Sequence, residues 1–200
     1  MLEVPDMKVY VVDDDEAMRE SLRWLIESAG HVVETFVSAN QFLTLYNSQW
    51  RGCLILDVRM PTISGLELQS ALASRGALLP VIMISGYADV PMVVNAMQTG
   101  AMDFLEKPFD DHVLLERIDK ALALSVSQTD KEEMRKQFSR LTVREREILK
   151  SVKDGMSSRM IAESLGISAK TVEVHRSNMM QKLSVNSVAE LVSMAWQAGV

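Results

Sequence analysis

The sequence predicts an α/β fold for residues 1–124 and a small all-helical domain for residues 138–200. In residues 1–124, five short runs rich in apolar and β-branched residues alternate with stretches that show the 3.6-residue apolar period of a helix. Such alternation is typical of a parallel sheet that helices cover on both faces. Residues 138–200 show helical stretches only.

The five predicted strands are short, and each ends in polar or turn-forming residues. The clearest is the apolar run Cys53-Leu54-Ile55-Leu56, which suits a strand buried on both faces. The predicted strands are 8–12, 32–37, 53–56, 80–84 and 101–105.

Helices are predicted after each strand from their apolar period and from residues that begin or end helices. Ser64 and Glu67 have the spacing of a capping box, and Asp89 followed by Pro91 should open another helix. Gly30 is the expected end of the first helix. The five predicted helices contain residues 18–29, about 39–46, those from 64, those from 89 and about 110–124.

Charge is distributed unevenly along the chain. Residues 1–125 contain nine Lys and Arg against eighteen Asp and Glu, whereas residues 139–200 contain nine against six. An acidic first part and a mildly basic last part indicate two domains with different partners. The single cysteine excludes an intramolecular disulfide. The sequence shows neither a signal segment nor an apolar run near the roughly 20 residues of a membrane span, so we expect a cytoplasmic protein without membrane contact.

Polar residues suited to phosphoryl chemistry follow four of the predicted strands. Asp13 and Asp14 follow the first strand, Asp57 the third, Ser85 the fourth and Lys107 the fifth. A flavodoxin-like (βα)5 sheet with right-handed crossovers has the strand order 2-1-3-4-5, which places the first and third strands side by side. We therefore expect these five side chains at one edge of the sheet.

The expected cluster has a chemical rationale. Crowded carboxylates repel one another, and Mg²⁺ bound to oxygen ligands relieves that repulsion. A carboxylate can attack phosphorus to give an aspartyl phosphate, whose oxygens a metal ion, a lysine and a hydroxyl would stabilise. Each residue also has an ordinary alternative: Asp14 or Asp15 as a helix cap, Ser85 as a turn residue, Lys107 as a surface cation. Five suitable groups on four neighbouring strands favour a shared site.

Residues 8–124 strongly resemble the receiver domain of two-component response regulators. The motifs that carry the resemblance are Val11-Val12-Asp13-Asp14, Leu56-Asp57-Val58-Arg59-Met60-Pro61, Ser85-Gly86 and Lys107-Pro108-Phe109. The resemblance implies that Asp57 is the phosphoacceptor and that Lys107 contacts the phosphoryl group. It further implies that Asp13, Asp14, Asp57 and the backbone carbonyl of Arg59 hold Mg²⁺.

The same resemblance implies a switch. Ser85 and Phe104 fill the positions that shift on phosphorylation, and Phe104 stands where many relatives have a tyrosine. The resemblance also implies that the Lys107–Pro108 peptide bond is cis, since the bond at this position is usually cis in the family. The helix after the fourth strand and the fifth strand form a common dimer face in the family, with Val90, Pro91 and Val94 as exposed apolar candidates here.

Residues 125–137 are polar and lack Gly and Pro. We predict a solvated linker that is partly helical and extends the fifth helix. The predicted domains are therefore 1–124 and 138–200.

The last part of the chain predicts four helices. Thr142 and Glu145 form a second capping box, which opens a helix that ends near Gly155. The other predicted helices are 157–165, about 169–183 and about 188–198. The turn Gly166-Ile167-Ser168 between the second and third helices fits a helix-turn-helix, although a plain four-helix bundle with a solvated face is the alternative.

The predicted DNA-binding residues lie on the third of these helices. They are Lys170, Thr171, Glu173, Val174, Arg176, Ser177 and Lys182. Lys170, Arg176 and Lys182 would supply positive charge for phosphates. Glu173 either accepts a hydrogen bond from a cytosine amino group or repels phosphate and so tunes specificity.

Residues 138–198 look like the LuxR-type DNA-binding domain, on the motifs Leu141-Thr142-Val143-Arg144-Glu145, 161–168 and 171–178. With the receiver, the whole chain resembles the NarL/FixJ group, and 89–92 and 104–109 look nearest to the FixJ branch. The implied function is a transcription regulator, most simply an activator, switched by phosphorylation of Asp57. The implied partners are a sensor histidine kinase, double-stranded promoter DNA, RNA polymerase and a second copy of the chain.

Two other classes of function are compatible with parts of the sequence. An aspartyl-phosphate enzyme would need a separate general acid near Asp57 and a substrate cap, and it would leave residues 138–198 unexplained. A protein-interaction module that signals without DNA would differ from the regulator in failing to bind a duplex. The receiver itself would assist only its own phosphotransfer and dephosphorylation.

Overall fold

A computed structural model describes residues 7–200 of the chain. They divide into two compact units, the first ending at Thr129 and the second running Asp130–Val200. Within residues 7–200, no helix combines the length and the apolar character needed to cross a membrane.

The first unit contains a five-stranded parallel sheet. Its strands are β1 (Lys8–Val12), β2 (Val32–Phe36), β3 (Gly52–Asp57), β4 (Val81–Ser85) and β5 (Asp103–Glu106). The order across the sheet is β2-β1-β3-β4-β5, and every neighbouring pair is parallel. The predicted strand order of a flavodoxin-like sheet is confirmed. Each strand differs from its prediction by at most two residues at either end.

One helix follows each strand of the sheet. The helices are α1 (Glu16–Ser28), α2 (Ala39–Leu45), α3 (Gly65–Ser74), α4 (Val90–Gln98) and α5 (Asp111–Ser139). The predicted helix starts have the expected caps. Ser64 and Glu67 form a complete capping box at α3, and the Asp89 side chain accepts from the Met92 N–H at the start of α4. Asp15 caps α1, which is the ordinary role given above as the alternative for Asp14 or Asp15.

Apolar side chains cover the sheet on both faces, because successive residues of a strand point to opposite sides. On one face, Tyr10, Leu54 and Leu56 belong to a core that includes a cluster of aromatic rings; Tyr10 and Trp50 stack with centroids 4.6 Å apart. On the other face, Val9 and Ile55 belong to a second core packed under other helices. The site at the sheet edge therefore rests on a rigid, doubly covered sheet.

Helix α5 differs from the prediction. It continues to Ser139, so the segment predicted as a linker is helical throughout, and the division between the two units falls inside that segment. Ser125 and Thr129 are buried, although a solvated linker was expected there. The backbone N–H of Gly52 donates to the Ser125 hydroxyl at 3.1 Å, which explains the burial of this serine. Helical period and polarity alone did not reveal that partner, because Gly52 lies 73 residues away.

The second unit contains the end of α5 and four further helices. They are α6 (Val143–Lys153), α7 (Ser158–Leu165), α8 (Ala169–Leu183) and α9 (Val188–Ala198). Phe138 at the end of α5 packs into the same core as Ile148, Val172 and Met179. Helix α7 ends at Leu165 and is capped by Gly166, whose φ of 66° is left-handed. Helix α8 begins three residues after that glycine, at Ala169, with Ser168 as its cap. This is the helix-turn-helix connection that the sequence predicted.

Candidate functional site

The carboxyl edge of the sheet brings together two of the predicted acids. Val12 is in register with Leu56, so Asp13 just beyond β1 lies beside Asp57, the last residue of β3. Both carboxylates are buried: Asp13 is 1% exposed and Asp57 is 5% exposed. Because parallel strands deliver their ends to one edge, two acids that are 44 residues apart in the sequence share one location.

Lys107 joins these two acids. Its ammonium nitrogen lies 2.7 Å from Oδ2 of Asp13 and 2.7 Å from Oδ1 of Asp57. The backbone holds the lysine in place, since its N–H donates to the carbonyl of Ser85 at 2.7 Å. The Lys107–Pro108 bond is cis, as the resemblance implied.

Burial and pairing act on these groups in opposite directions. Burial raises the pKa of Asp57 above its ordinary value, and the charge of Asp13 adds to the rise, while the hydrogen bond from Lys107 and that from the Arg59 N–H oppose it. For Lys107, burial lowers the pKa, but the hydrogen bonds to Asp13 and Asp57 outweigh burial and leave the pKa raised. The lysine therefore stays protonated at neutral pH, and the site holds two acids beside one fixed cation.

The remaining carboxylate oxygens are held by backbone N–H groups. Asp57 Oδ2 accepts from the N–H of Arg59 at 2.7 Å, and Asp13 Oδ1 accepts from the N–H of Asp15 at 2.9 Å. Asp14 is exposed, and among residues 7–200 its side chain makes no hydrogen bond. Both buried carboxylates are thus fixed in orientation, whereas the structure does not bring the exposed side chain of Asp14 into their cluster.

The donor set of this edge suits Mg²⁺. Asp13 and Asp57 offer hard oxygen ligands, and Mg²⁺ commonly takes one or two carboxylates and keeps several waters. Within the described residues, 7–200, no three His, Cys, Asp or Glu side chains gather into a metal-binding group. The two buried carboxylates are therefore the core of the predicted ligand set, and the parts assigned to Asp14 and the Arg59 carbonyl stay predictions.

Of the two predicted switch residues, Ser85 borders this cluster, whereas Phe104 lies two residues before the end of β5. Ser85 is the last residue of β4 and is 1% exposed; its hydroxyl donates to the carbonyl of Tyr87 at 2.7 Å and accepts from the Tyr87 N–H at 3.3 Å. Phe104 on β5 is half-buried and packs against the core on one face of the sheet. In this structure Ser85 therefore fills the turn role that was its ordinary alternative.

Two features near Asp57 were not predicted from the sequence: the contact of the Arg59 side chain with Tyr87 and the close approach of Gly65. The guanidinium of Arg59 lies 4.6 Å from the ring centroid of Tyr87, within cation–π range. Gly65 opens α3 directly behind the acid: a β-carbon there would lie 2.2 Å from the Asp57 carbonyl oxygen. A glycine immediately after the capping serine was the available signal for such a close approach.

Helix α8 presents most of the predicted DNA-binding residues to solvent. Five of the predicted residues are exposed: Lys170, Thr171, Glu173, Val174 and Ser177. The apolar Val174 has 51% of its surface exposed to solvent. The core face of the same helix is formed by buried Val172, Met179 and Leu183.

Two of the three predicted phosphate-binding cations have partners inside the second unit. Arg176 is 18% exposed and donates to the Ser158 hydroxyl at 2.5 Å. The Lys182 ammonium lies 2.9 and 2.7 Å from the two carboxylate oxygens of buried Glu145. Lys170 forms no ion pair with any residue in 7–200. Of the three, Lys170 is the cation most available to a phosphate.

Comparison with known proteins bears on both units. Residues 9–119 match the family described as response regulator receiver domain, and residues 139–195 match the family described as bacterial regulatory proteins, luxR family. The chain belongs to the response regulators. Within them it carries a LuxR-family domain, which confirms the predicted family and both parts of the predicted fold class.

Individual relatives of this response regulator span nearly its whole length. The transcriptional regulatory protein FixJ of Azorhizobium caulinodans is 46% identical over 97% of this chain and 94% of its own. The solved structure of response regulator StyR has a TM-score of 0.74 and 42% identity, covering 96% of this chain and 99% of its own. Full-length FixJ from B. japonicum has a TM-score of 0.59 and 38% identity, covering 96% and 97%. The protein is a two-component transcription regulator.

Proposed function

We propose that a partner histidine kinase phosphorylates Asp57 and that this modification switches the binding of promoter DNA by α8. The observation that supports the acceptor assignment is the buried Asp57 carboxylate beside Asp13, with Lys107 at 2.7 Å from both. A carboxylate attacks phosphorus in its ionised form, and the ammonium group of Lys107 favours that form of Asp57. The names of the curated relatives are those of regulators, which favours a switch over an enzyme acting on other substrates.

The proposed transfer follows from the positions of these groups. An Asp57 oxygen attacks the phosphorus of the kinase phosphohistidine, a P–O bond forms, and the P–N bond breaks to release the imidazole. Lys107 is already within hydrogen-bonding distance of the attacking carboxylate and can pair with a phosphoryl oxygen while keeping Asp13. Asp13, Asp14, Asp57 and the Arg59 carbonyl would hold Mg²⁺, which would supply positive charge to the phosphoryl oxygens.

Phosphorylation of the intact chain by a small phosphodonor tests this assignment. With acetyl phosphate and Mg²⁺, we expect intact mass spectrometry to show one added phosphoryl group, which disappears in Asp57→Asn and when Mg²⁺ is omitted. Asp103→Asn is a matched control, since Asp103 is a partly exposed acid paired with Arg117 at the start of β5. Unchanged labelling of Asp57→Asn, or loss of labelling in the control alone, would contradict the acceptor assignment.

The proposed output is a dimer on DNA. Val90 and Val94 of α4 are 76% and 44% exposed, and Pro91 beside them is exposed as well. An apolar strip of this kind suits a contact with a second copy of the chain. Because one helix-turn-helix reads only a half-site, pairing two copies would strengthen binding to two half-sites greatly. A bound dimer would then act on RNA polymerase as an activator.

Sedimentation of the chain with and without beryllofluoride tests the dimer. We expect a shift from monomer toward dimer, weakened by Ser85→Ala and by Val90→Asp. Ser74→Ala, which removes an exposed hydroxyl on α3, should shift like the wild type. A DNA affinity that rises with an unchanged monomer–dimer equilibrium would refute dimerisation and would indicate release of an inhibitory contact.

A further inference from the structure

The only acidic residue of α8, Glu173, is held by two side chains. The hydroxyl of Ser158, the first residue of α7, donates to Glu173 Oε1. Arg176, one turn further along α8, donates to the same hydroxyl at 2.5 Å and lies 3.4 Å from the same carboxylate oxygen. A hydroxyl has one proton to donate and lone pairs that accept, so Ser158 can serve both partners at once.

This arrangement fixes one oxygen of Glu173 and leaves the other available. Within residues 7–200, Oε2 of this carboxylate has no hydrogen-bond partner, and the side chain is 61% exposed. Val174 and Ser177 are exposed on the same stretch of helix. A long, flexible side chain normally loses rotamer freedom on binding, and a glutamate that is already held loses less.

The chemistry of a carboxylate limits what Glu173 can contact on DNA. An ionised carboxylate only accepts hydrogen bonds, so it cannot bind a phosphate. In the major groove, the donors are the amino groups of cytosine and adenine, and the cytosine amino group is the usual partner of an acidic side chain. The paired guanidinium of Arg176 also offsets the charge of Glu173, which reduces repulsion from the phosphates on both sides of the groove.

We propose that Ser158 and Arg176 are positioning residues that orient Glu173 to accept a hydrogen bond from a cytosine amino group. The proposal rests on the DNA-binding function proposed for α8. It gives Arg176 a role in specificity through Glu173, in place of the phosphate contact that the sequence suggested. The low exposure of Arg176, 18%, agrees with a guanidinium directed at its neighbours within the domain.

The test measures base preference in the full-length chain activated with beryllofluoride. A preferred duplex is first selected from a randomised pool with the wild-type chain. Affinity is then measured for that duplex, for its single-base variants and for a random duplex. Glu173→Ala identifies the base pair that Glu173 reads, as the one position where preference for cytosine disappears. We expect Ser158→Ala and Arg176→Lys to reduce that preference by about fivefold or more, while affinity for the random duplex stays within about twofold.

Matched variants separate positioning from a general effect on the domain. Ser164→Ala removes another hydroxyl of α7, one that donates to the Ile161 carbonyl at 3.1 Å, and should keep the wild-type preference. Ser158→Thr retains the hydroxyl and should restore the preference. Melting temperatures of all variants are compared alongside, so that a variant with a destabilised fold is recognised.

Three outcomes would overturn the proposal. One is that Glu173→Ala changes no cytosine preference. Another is that Ser158→Ala keeps the wild-type preference at the Glu173 position. The third is that Arg176→Lys keeps the wild-type preference, because a lysine retains the charge for a phosphate contact but loses the fixed pairing with Ser158 and Glu173. A wild-type chain that binds no duplex at all would instead refute the proposed DNA-binding function.

Discussion

The pair formed by Lys182 and Glu145 allows a sharp test of whether Lys182 stabilises the domain or binds DNA. Glu145 is the third residue of α6, and its carboxylate is 3% exposed. It accepts from Lys182 at 2.9 and 2.7 Å and from the N–H and hydroxyl of Thr142 at 2.8 and 3.0 Å. Lys182→Met keeps most of the apolar stem and removes the charge, so the carboxylate remains buried without its cation.

The expected loss of stability follows from burial on each side of the pair. Removing one partner of a fully buried ion pair typically costs about 3–5 kcal/mol. Lys182 is 37% exposed, so water screens the pair and can reach the carboxylate after the substitution. Thr142 still donates to Glu145 in the variant. We therefore expect the free energy of unfolding of the second unit to fall by about 1–3 kcal/mol, which for a unit of this size lowers its melting temperature by roughly 5 °C or more.

The same pair predicts how this difference depends on pH. Burial alone would raise the pKa of Glu145, but the hydrogen bonds from Lys182 and Thr142 outweigh burial and hold the pKa below its ordinary value. A lowered pKa in the folded state means that the ionised carboxylate stabilises the fold. That contribution is complete above the carboxyl pKa of the unfolded chain and is lost as the pH falls through the lower folded value. The gap between wild type and variant should be constant near neutral pH and shrink in acid.

Differential scanning calorimetry of the full-length chain measures this effect. Lys170→Met is the matched control, because Lys170 lies on the same helix, is exposed and has no ion-pair partner in the described residues. Its melting temperature should equal that of the wild type. If Lys182→Met melts like the wild type but binds DNA less tightly, the pair contributes little to folding and Lys182 contacts phosphate, as the sequence suggested.

Three further predictions concern the receiver and the DNA surface. Gly65→Ala should lower the free energy of unfolding by about 1–3 kcal/mol and slow labelling of Asp57 by acetyl phosphate, because the new β-carbon would lie 2.2 Å from the Asp57 carbonyl oxygen. Gly86→Ala is the control, since Gly86 has open space around it, and equal stability of the two variants in calorimetry would count against the argument. Asp57→Asn should raise the melting temperature at neutral pH, because burial raises the pKa of Asp57 and so disfavours its ionised form in the folded state. The gain should vanish once acid protonates Asp57 in the wild type, and a lower melting temperature at neutral pH would contradict the argument. Lys170→Ala should weaken specific and random duplexes alike and reduce the salt dependence of binding by about one unit of slope, whereas a loss confined to the specific duplex would imply base contact.

Local sequence patterns were sufficient to predict the sheet and the place where Asp13 and Asp57 meet, which is the proposed phosphoacceptor site. A parallel strand buried on both faces is an apolar run, and such a run ends visibly where an acid follows, as Asp57 follows Leu56. Once five strands are located, right-handed crossovers leave few possible orders, and the order places Asp13 beside Asp57. The proximity of these two residues, which are distant in the sequence, was therefore predictable, because it depends on the strand order and not on the details of side-chain packing.

The partners of long side chains were not predictable in the same way. Helical period indicates which face of α8 carries Arg176 and Lys182, but a side chain with four rotatable bonds can reach neighbours on another helix. Arg176 reaches Ser158 of α7, and Lys182 reaches Glu145 of α6. The capping box at Thr142 predicted that the carboxylate of Glu145 would accept a hydrogen bond from the backbone. No local pattern indicated that this carboxylate would also be buried. These pairings depend on how the helices pack, which the period of a single helix does not contain.

The hydrogen bond made by Ser85 suggests how a charge placed on Asp57 could reach α4. The Ser85 hydroxyl has a single proton, and it is donated to the carbonyl of Tyr87 at 2.7 Å. A phosphoryl group on Asp57 would carry about 1.5 to 2 negative charges, in place of the single charge of the carboxylate, and would place strong acceptor oxygens next to β4. A hydroxyl cannot donate to both acceptors, so donation to the phosphoryl group would free the Tyr87 carbonyl and loosen the turn that leads into α4. Tyr87 is 53% exposed and lies shortly before the apolar strip that begins at Val90. When the Ser85 hydroxyl donates to the phosphoryl group and no longer to Tyr87, the buried charge on Asp57 would thereby be connected to an exposed surface.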